Sequence, residues 1–177
     1  MSKNKVILVD MNDNQVAVMD KMEAHEKGLL HRAFSVFLFN NNDEMLLQQR
    51  AVDKYHSGGL WTNACCSHPF PGEETIDAAE RRMMEELGIT TPIEEVFSFS
   101  YCTKFENGLT ENEFDHVFVG TYEGAIPFDK SEVMGVCYKN LKWISDSLQK
   151  DPDLYTSWFK IAFPMLMKWK ENGPKIK

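Results

Sequence analysis

The segment EETIDAAERRMMEELGIT, residues 73–90, predicts a single amphipathic α-helix. Its apolar side chains recur at the three- and four-residue spacing that places them on one buried face: Ile76, Ala79, Met83 and Leu87. The other face carries ionisable side chains: Glu80, Arg81, Arg82, Glu85 and Glu86. Thr75 is placed to cap the first turn, and Gly88 is the residue type that commonly ends a helix in the left-handed conformation. We therefore expect one helix that packs on a core through its apolar face.

Strand patterns lie on both sides of this helix. The segments predicted to be strands pair across polar turns: KVILVD with QVAVMD, AFSVFLF with EMLLQQR, and EVFSFSYCTKF with NEFDHVFVGTY. The C-terminal segments KNLKWISDSLQKD and YTSWFKIAFPMLMKWKEN predict helices, the second kinked or divided at Pro164. This order predicts an α+β fold, an α/β/α sandwich around a mixed β-sheet with extra C-terminal helices. Because no linker or repeat divides the chain, residues 1–177 are predicted to form one domain.

Composition and charge exclude some functional classes. The chain has 177 residues and a formal net charge of −8. Nucleic acid is not expected as the main ligand, because such proteins need a basic face. An anionic small molecule would require a local cluster of Lys, Arg or metal ions. The segment MSKNKVILVDMNDN has no signal-peptide core, and no run approaches the ~20 apolar residues of a membrane span. A cytoplasmic protein without a membrane segment is expected.

Two adjacent cysteines, Cys65 and Cys66, lie in the segment GLWTNACCSHPFPGEE, residues 59–74. A disulfide between neighbours is disfavoured because preferred geometry keeps the two Cα atoms ~5.5 Å apart, and a reducing compartment favours free thiols. A buried cysteine commonly acts as a small hydrophobic residue, whereas one in a polar turn is a candidate reactive thiol. The residue types leave both interpretations open. If the segment is extended, the two side chains point to opposite sides.

Histidines and glutamates form a second constellation. His25 and His31 precede the first strong strand, and His68 follows the paired cysteines. Glu111 and Glu113 in TENEFDH are two residues apart, so on a strand both side chains face one side. Such ligands would suit a divalent ion such as Mn, Mg or Zn, but surface or capping histidines are the alternative. That alternative is the prediction for the remaining two histidines, His56 and His116.

The helix and the turn before it resemble the Nudix box, Gly-x5-Glu-x7-Arg-Glu-U-x-Glu-Glu-x-Gly-U. With Gly88 as the reference, the matching residues are Glu73, Arg81, Met83, Glu85, Glu86, Gly88 and Ile89. Two positions differ: Ser67 replaces the first glycine, and Arg82 replaces the glutamate that follows the arginine. In Nudix hydrolases that glutamate helps to hold the catalytic metal. The resemblance therefore implies a Nudix-like fold whose hydrolytic metal cluster is incomplete.

A more specific resemblance covers most of the chain, from about Lys21 to Trp158. The segments HRAFSVFLFN, GLWTNACCSHP, RRMMEELG and TENE, in this order and spacing, closely resemble those of type I isopentenyl diphosphate isomerases. The resemblance implies isomerisation of isopentenyl diphosphate to dimethylallyl diphosphate by protonation of the alkene and deprotonation of the adjacent carbon. One alternative is a Nudix-type diphosphohydrolase, which is disfavoured because Arg82 replaces a metal-binding glutamate of those enzymes. The other is a metal-stabilised binding module without catalysis.

The resemblance also implies roles for individual residues. Cys66 matches the catalytic cysteine and Glu113 the catalytic glutamate, with Tyr101 lining the pocket beside it. The residues that match metal-binding positions are His25, His31, His68, Glu111 and Glu113, with Glu86 binding Mg2+ together with the substrate diphosphate. The residues that match substrate-binding positions are Lys21, Arg50, Lys54, Arg82 and Trp158. The implied cofactors are Mg2+ and one further divalent ion, Mn2+ or Zn2+, at the His/Glu site. A monomer or weak homodimer is expected.

Overall fold

The computed structural model describes residues 4–173, in which nine strands form one mixed sheet and four α-helices cover it. The strands are β1 (Lys5–Val9), β2 (Gln15–Asp20), β3 (His31–Phe39), β4 (Met45–Arg50), β5 (Trp61–Thr62), β6 (Cys65–Ser67), β7 (Ile93–Lys104), β8 (Thr110–Thr121) and β9 (Val133–Lys139). The helices are α1 (Lys21–Lys27), α2 (Thr75–Leu87), α3 (Leu141–Lys150) and α4 (Ser157–Asn172). No helix in this part of the chain is long and apolar enough to cross a membrane.

Strand β3 organises the sheet. It pairs in parallel with β8 along its whole length, from His31 opposite Glu113 to Phe39 opposite Thr121. It also pairs antiparallel with β1, β4 and β6. Strand β7 pairs antiparallel with the other edge of β8 and forms a hairpin with it. Because the pairing register is fixed along β3 and β8, residues far apart in sequence lie side by side near the start of β3.

Two apolar clusters cover the two faces of the sheet. Alternate residues of β3 supply each: Phe34, Val36 and Leu38 face α2, whereas Phe37 and Phe39 face α3 and α4. Helix α2 contributes Ala78, Ala79, Met83 and Leu87 to the first cluster. Helix α4 contributes Trp158, Phe159, Ala162, Phe163 and Leu166 to the second. The sheet therefore lies between helical layers, which confirms the predicted α+β sandwich with C-terminal helices.

The central helix differs from its prediction in two details. Its N-cap residue is Glu74, and no side chain caps the first turn, so the predicted cap at Thr75 is wrong. Ile76 is 38% exposed. At about 100° per residue, Ile76 lies on the same face as Met83 and Leu87, so its exposure follows from its place in the first turn of α2 and not from its angle around the helix. Gly88 ends the helix as predicted, with φ of +68° and its N–H bonded to the carbonyl of Met84.

Other elements also differ from the sequence analysis. Helix α4 runs without interruption through Pro164, so the proline does not divide it. Pro164 lies on the exposed side of α4, where the Lys160 carbonyl that loses its helical partner is accessible to water. The flanking residues Phe163 and Leu166 are buried and hold both halves of the helix on the sheet. Helix α1 and strand β9 were not predicted, and both are short amphipathic segments.

Candidate active site

Strand register brings the two predicted catalytic residues to one pocket. Cys66 on β6 is paired with Ser35 on β3, and Glu113 on β8 is paired with His31 on the same strand. Cys66 and Glu113 both line this pocket, although 47 positions separate them in the sequence. Glu111, Glu113 and Asp115 alternate along β8 and are all buried. The site is therefore built on strands, with its floor formed by β3, β6 and β8.

A cluster of imidazoles surrounds Glu113. The Nε2 atom of His68 lies 2.9 Å from Oε1 of Glu113, and the Nε2 atom of His31 lies 3.6 Å from the same oxygen. The two Nε2 atoms are 3.2 Å apart. With His25, these residues offer four donor atoms that all lie within 4.8 Å of one another. Burial lowers the pKa of His68 to about 3, so its ring is neutral at pH 7.

His25 supplies the observation that favours a metal ion at this cluster. Its Nδ1 atom lies 2.7 Å from the carbonyl oxygen of Lys21 in helix α1. Its Nε2 atom is buried and has no hydrogen-bond partner among residues 4–173. Burial and the neighbouring His31 lower the pKa of His25 to about 4, which keeps the ring in the neutral form that binds metals. Neutral imidazoles and a carboxylate are suitable ligands for a divalent ion such as Zn2+ or Mn2+.

Glu111 belongs to a second, overlapping group with His25 and His56. The Nε2 atom of His56 lies 3.1 Å from Oε1 of Glu111. His56 is only 7% exposed and lines the pocket. The prediction of a surface or capping role for His56 is therefore wrong, because the loop between β4 and β5 folds inward at this residue. His116 differs: it lies between Asp13 and Glu95, outside the group of pocket residues.

Tyr101 connects the two glutamates. Its hydroxyl donates to Oε2 of Glu113 at 2.6 Å and lies 3.3 Å from Oε2 of Glu111. Burial and the charge of Glu113 raise the pKa of Glu111 well above its usual range. Burial also acts to raise the pKa of Glu113, but hydrogen bonds from His31 and His68 outweigh it and hold that pKa well below its usual range. The different partners of the two glutamates thus shift their pKa values in opposite directions.

The adjacent cysteines face opposite sides of the sheet. Cys65 is fully buried in the apolar cluster beneath α2, whereas Cys66 packs against the other cluster and lines the pocket. All four cysteines are free. Burial raises the pKa of the Cys66 thiol, and the nearby charge of Arg50 acts in the opposite direction without outweighing it. The protein groups alone therefore hold Cys66 as a neutral thiol. A thiolate at Cys66 would need additional positive charge in the site.

The predicted cations form one wall of the pocket: Lys21, Arg50, Lys54 and Arg82. Arg50 stacks on the ring of Trp158, with the guanidinium carbon 5.1 Å from the ring centre. Its Nε atom is buried and has no hydrogen-bond partner among residues 4–173. Burial lowers the pKa of Lys21, with the charges of neighbouring arginines adding to the effect and Glu113 opposing it. Four cations around one pocket form the local basic site that an anionic ligand requires in an acidic protein.

Arg82 interacts with three carboxylates. It bonds to Glu85 at 2.6 Å and to Glu132 at 3.1 Å, and it also bonds to Glu86. Glu132 forms a second ion pair with Lys54. Glu86 also accepts a hydrogen bond from Gln48 at 3.0 Å and is 6% exposed. Although Glu86 belongs to the ionisable face predicted for α2, it is buried, because the side of the helix that carries it turns toward the pocket.

Some pocket residues were missed in the sequence analysis. Ser35, whose hydroxyl donates to Asp115 at 2.8 Å, and His56 line the pocket. Gln48 and Glu132 lie behind it and contact its residues Glu86 and Arg82. Asp115 continues the alternation of Glu111 and Glu113 along β8, so its inward direction was readable from the sequence. His56 and Glu132 lie outside strands and carried no such signal. Their positions follow from loop conformations that only the structure shows.

Comparison with known proteins agrees with this geometry. The NUDIX domain family profile matches residues 29–159. The isopentenyl-diphosphate Delta-isomerase of Pectobacterium atrosepticum is 45% identical over 163 residues, with 92% of this chain and 91% of that protein covered. The isopentenyl-diphosphate Delta-isomerase 2 of Aromatoleum aromaticum is 47% identical over 172 residues, with 97% and 91% covered.

Solved structures show the same fold at low sequence identity. The DR0079 protein of Deinococcus radiodurans superimposes with a TM-score of 0.69 at 16% identity, covering 83% of this chain and 90% of that one. The MutT protein of Methanosarcina mazei Go1 superimposes with a TM-score of 0.66 at 18% identity, covering 82% and 96%. By the profile match and by its relatives, the chain belongs to the NUDIX domain family and, within it, to the isopentenyl-diphosphate Delta-isomerase family.

Proposed function

We propose that this protein isomerises isopentenyl diphosphate to dimethylallyl diphosphate, with Glu113 and Cys66 as the residues that exchange protons with the substrate. The main support is geometric: these two side chains reach one pocket from different strands, and four cations line another part of it. The named relatives, which share 41–47% identity with this chain, support the reaction itself.

The reaction moves one proton onto the substrate and takes another away. A proton added to the terminal alkene carbon gives a tertiary carbocation, and loss of a proton from the carbon on its other side forms the new double bond. An acid must therefore lie within hydrogen-bond reach of the terminal carbon, and a base must face the second carbon. Glu113 is the proposed acid, oriented by the hydroxyl of Tyr101. Cys66, as a thiolate, is the proposed base.

Proton balance sets the state of this pair. Before the reaction the proton is on Glu113, and after it a proton is on Cys66, so the two groups must be reset between turnovers. The protein groups alone place the charge on Glu113 and the proton on Cys66. The active form therefore requires the transfer of one proton from the Cys66 thiol to the Glu113 carboxylate before turnover. The reversibility of proton transfer at both residues allows the same pair to catalyse the reverse reaction.

The metal-binding residues are proposed to be His25, His31, His68, Glu111 and Glu113. A divalent ion held there would bind these side chains and fix the orientation of Glu113. The fold family supports divalent metal binding, and the unpartnered Nε2 atom of His25 supports this location. We propose Mn2+ or Zn2+ for this site, and Mg2+ bound by Glu86 together with the substrate diphosphate.

The basic wall is proposed to hold the diphosphate. Lys21, Arg50 and Lys54 approach it from two segments, and the buried, unpartnered Nε atom of Arg50 offers an unused donor. Arg82 is proposed to contact the same group. Fixing the diphosphate positions the alkene between the acid and the base. The proton transfers then occur within one bound complex of fixed geometry, which lowers their entropic cost. Trp158 closes the far side and, with Tyr101, excludes water that would otherwise add to the carbocation.

The direct test is incubation of the protein with isopentenyl diphosphate, Mg2+ and Mn2+ or Zn2+, with detection of the allylic isomer. In deuterium oxide, the product should gain deuterium in a methyl group, because the proton added to the terminal carbon comes from an exchangeable acid. Absence of the isomer under all metal conditions would contradict the proposal. Release of phosphate or a nucleoside monophosphate from nucleotide substrates would favour a diphosphohydrolase instead.

The remaining proposals concern the state of the protein in the cell. We propose that residues 1–177 act as one domain, as a monomer or weak homodimer in the cytoplasm. Sedimentation at several protein concentrations tests the oligomeric state. Cell fractionation tests the location. The isomerase assay does not depend on either outcome.

A further inference from the structure

His56 differs from the other pocket histidines in its origin. It lies in the loop between β4 and β5, whereas His31 is on β3, His68 follows β6 and His25 is on α1. Despite its loop position, His56 is 7% exposed. Its Nε2 atom contacts Glu111, the carboxylate that no other described imidazole contacts within ion-pair distance. A buried histidine that contacts a proposed metal ligand can orient that ligand.

Both ring nitrogens of His56 are engaged. The Nδ1 atom lies 3.2 Å from the hydroxyl oxygen of Ser57, and the Nε2 atom lies 3.1 Å from Oε1 of Glu111. If Ser57 donates to Nδ1, the proton of the neutral ring is on Nε2 and points at the carboxylate. Burial lowers the pKa of His56 to about 3, which agrees with a neutral ring. His25 contrasts with this, because its Nε2 atom has no partner among the described residues.

Aromatic contacts fix the orientation of the His56 ring. Phe105 stacks on it with ring centres 4.8 Å apart and planes 13° from parallel. Tyr55 and Trp158 meet it edge-on, at centre distances of 4.4 and 5.9 Å. A ring held on three sides has little freedom to rotate, so the direction of its Nε2–H bond is set before any ligand arrives. Such preorganisation keeps the Nε2–H bond directed at Glu111, as a partner that orients a metal ligand requires.

We propose that His56 is a positioning residue, which donates a hydrogen bond to Glu111 and holds that carboxylate toward the divalent ion. This inference rests on the proposed metal site. A direct role as a ligand is less well supported, although His25, His56 and Glu111 place donor atoms within 4.8 Å of one another. Both nitrogens of His56 already have partners, whereas His25 offers a free one. The contacts therefore favour a role for His56 as a hydrogen-bond donor to Glu111 over a role as a metal ligand.

Two substitutions test whether His56 acts as a hydrogen-bond donor or only fills space as an aromatic ring. His56→Phe keeps a ring against Phe105 and Trp158 but removes the donor, whereas His56→Gln keeps an N–H donor without the ring. Affinity for Mn2+ and Zn2+ is measured without substrate, by competition with a chelator. His116→Phe is the matched control, because His116 lies against Asp13 and Glu95 away from the pocket. Circular dichroism and the unfolding temperature establish that each variant is folded.

The expected result is a 10- to 100-fold weaker metal affinity in His56→Phe, the usual effect of losing an outer partner of a ligand. His56→Gln should recover most of that loss, and His116→Phe should bind as the unmodified protein does. Unchanged affinity in His56→Phe would overturn the inference. Equal loss in His56→Phe and His56→Gln, of the size produced by His31→Gln, would also overturn it, since His56 would then be a ligand.

The same measurements distinguish this inference from the proposed function. If the unmodified protein binds no divalent ion at these residues, the proposed metal site itself fails. If it binds the ion and isomerises the substrate while His56→Phe retains full metal affinity, only the role of His56 fails. Metal affinity and isomerisation are recorded on the same preparations, so the two failures are read separately.

Discussion

The helix α2 and the strand-built pocket contain similar residue types but use them differently. On α2 and in the turn before it, carboxylates are neutralised by arginines of the helix: Glu73 by Arg81, and Glu85 and Glu86 by Arg82. In the pocket, Glu111 and Glu113 are instead contacted by neutral imidazoles and by the hydroxyl of Tyr101. An arginine partner fixes a carboxylate in its charged form, whereas imidazole and phenol partners leave room for a metal or a proton. The proposed chemistry therefore lies on the strands, while the Nudix-like helix is proposed to support the substrate's diphosphate end.

The largest effect on kcat is expected from Cys66. Its neighbour Cys65 lies beneath α2, whereas Cys66 lines the pocket, so the two residues represent the two regions compared above. Cys66→Ala should lower kcat about 10²- to 10⁴-fold, because general acid–base catalysis typically contributes that much. Cys65→Ala is the matched control: it lies beneath α2, so we expect nearly full activity with a lower unfolding temperature. Steady-state kinetics and thermal unfolding check both variants. Full activity in Cys66→Ala would show that the base is another residue.

The two glutamates of β8 sharpen the same comparison. Glu113→Gln should lower kcat as much as Cys66→Ala and should also weaken divalent metal binding, since Glu113 is both the proposed acid and a proposed ligand. Removal of the metal by a chelator should therefore abolish activity in the unmodified protein, with recovery on adding Mn2+ or Zn2+. Metal content and kcat are measured together. Loss of kcat with full metal affinity would assign Glu113 to proton transfer alone.

The two arginines of α2 test whether the helix serves the diphosphate. Arg82→Gln removes the partner of Glu85, Glu86 and Glu132 and one cation of the pocket, so we expect KM to rise about 10- to 100-fold, in line with loss of a hydrogen bond to a charged group. Arg81→Gln is the control, because Arg81 is outside the group of residues that line this pocket. Inhibition by inorganic diphosphate measures the anion affinity directly. Equal KM values in both variants would contradict a role for Arg82 in substrate binding.

Much of the fold could be predicted from the sequence, because it depends on local periodicity. The apolar-rich strand segments, the apolar stripe of α2 and the order of the elements along the chain predicted the sandwich. The Nudix-like spacing and the WTNACCSHP segment identified residues of the site. The pairing of β3 with β6 and β8 brings these residues together. His56 and Glu132 could not be predicted in this way, because loop positions carry no periodic signal. The burial of Glu86 depends on how far α2 rotates against the sheet, which its charge pattern does not determine.

The smallest effect is expected from Glu73, the Nudix-box glutamate that we assign no catalytic role. It accepts hydrogen bonds from Arg81 and from the backbone N–H of Phe70, and Arg81 in turn lies over the ring of Phe70. Burial acts to raise the pKa of Glu73, but these bonds outweigh it and lower that pKa below the usual 4.5. Glu73→Gln should therefore leave kcat and KM unchanged and reduce stability at pH 7 by about 1 kcal/mol.

The pH dependence of the stability difference between the unmodified protein and Glu73→Gln tests whether the charge of Glu73 is responsible for it. A carboxyl with a lowered pKa in the folded state contributes its stability fully above the unfolded value of 4.5, and the contribution disappears as pH falls through the folded value. The difference in unfolding free energy between the unmodified protein and Glu73→Gln should thus be constant above about pH 6 and shrink steadily below pH 4.5. Denaturant unfolding at several pH values measures it. A difference that persists unchanged in acid would mean that packing, not the charge of Glu73, stabilises this turn. In that case the ion pairs of α2 would be incidental to the fold, and the contrast with the pocket would be one of function alone.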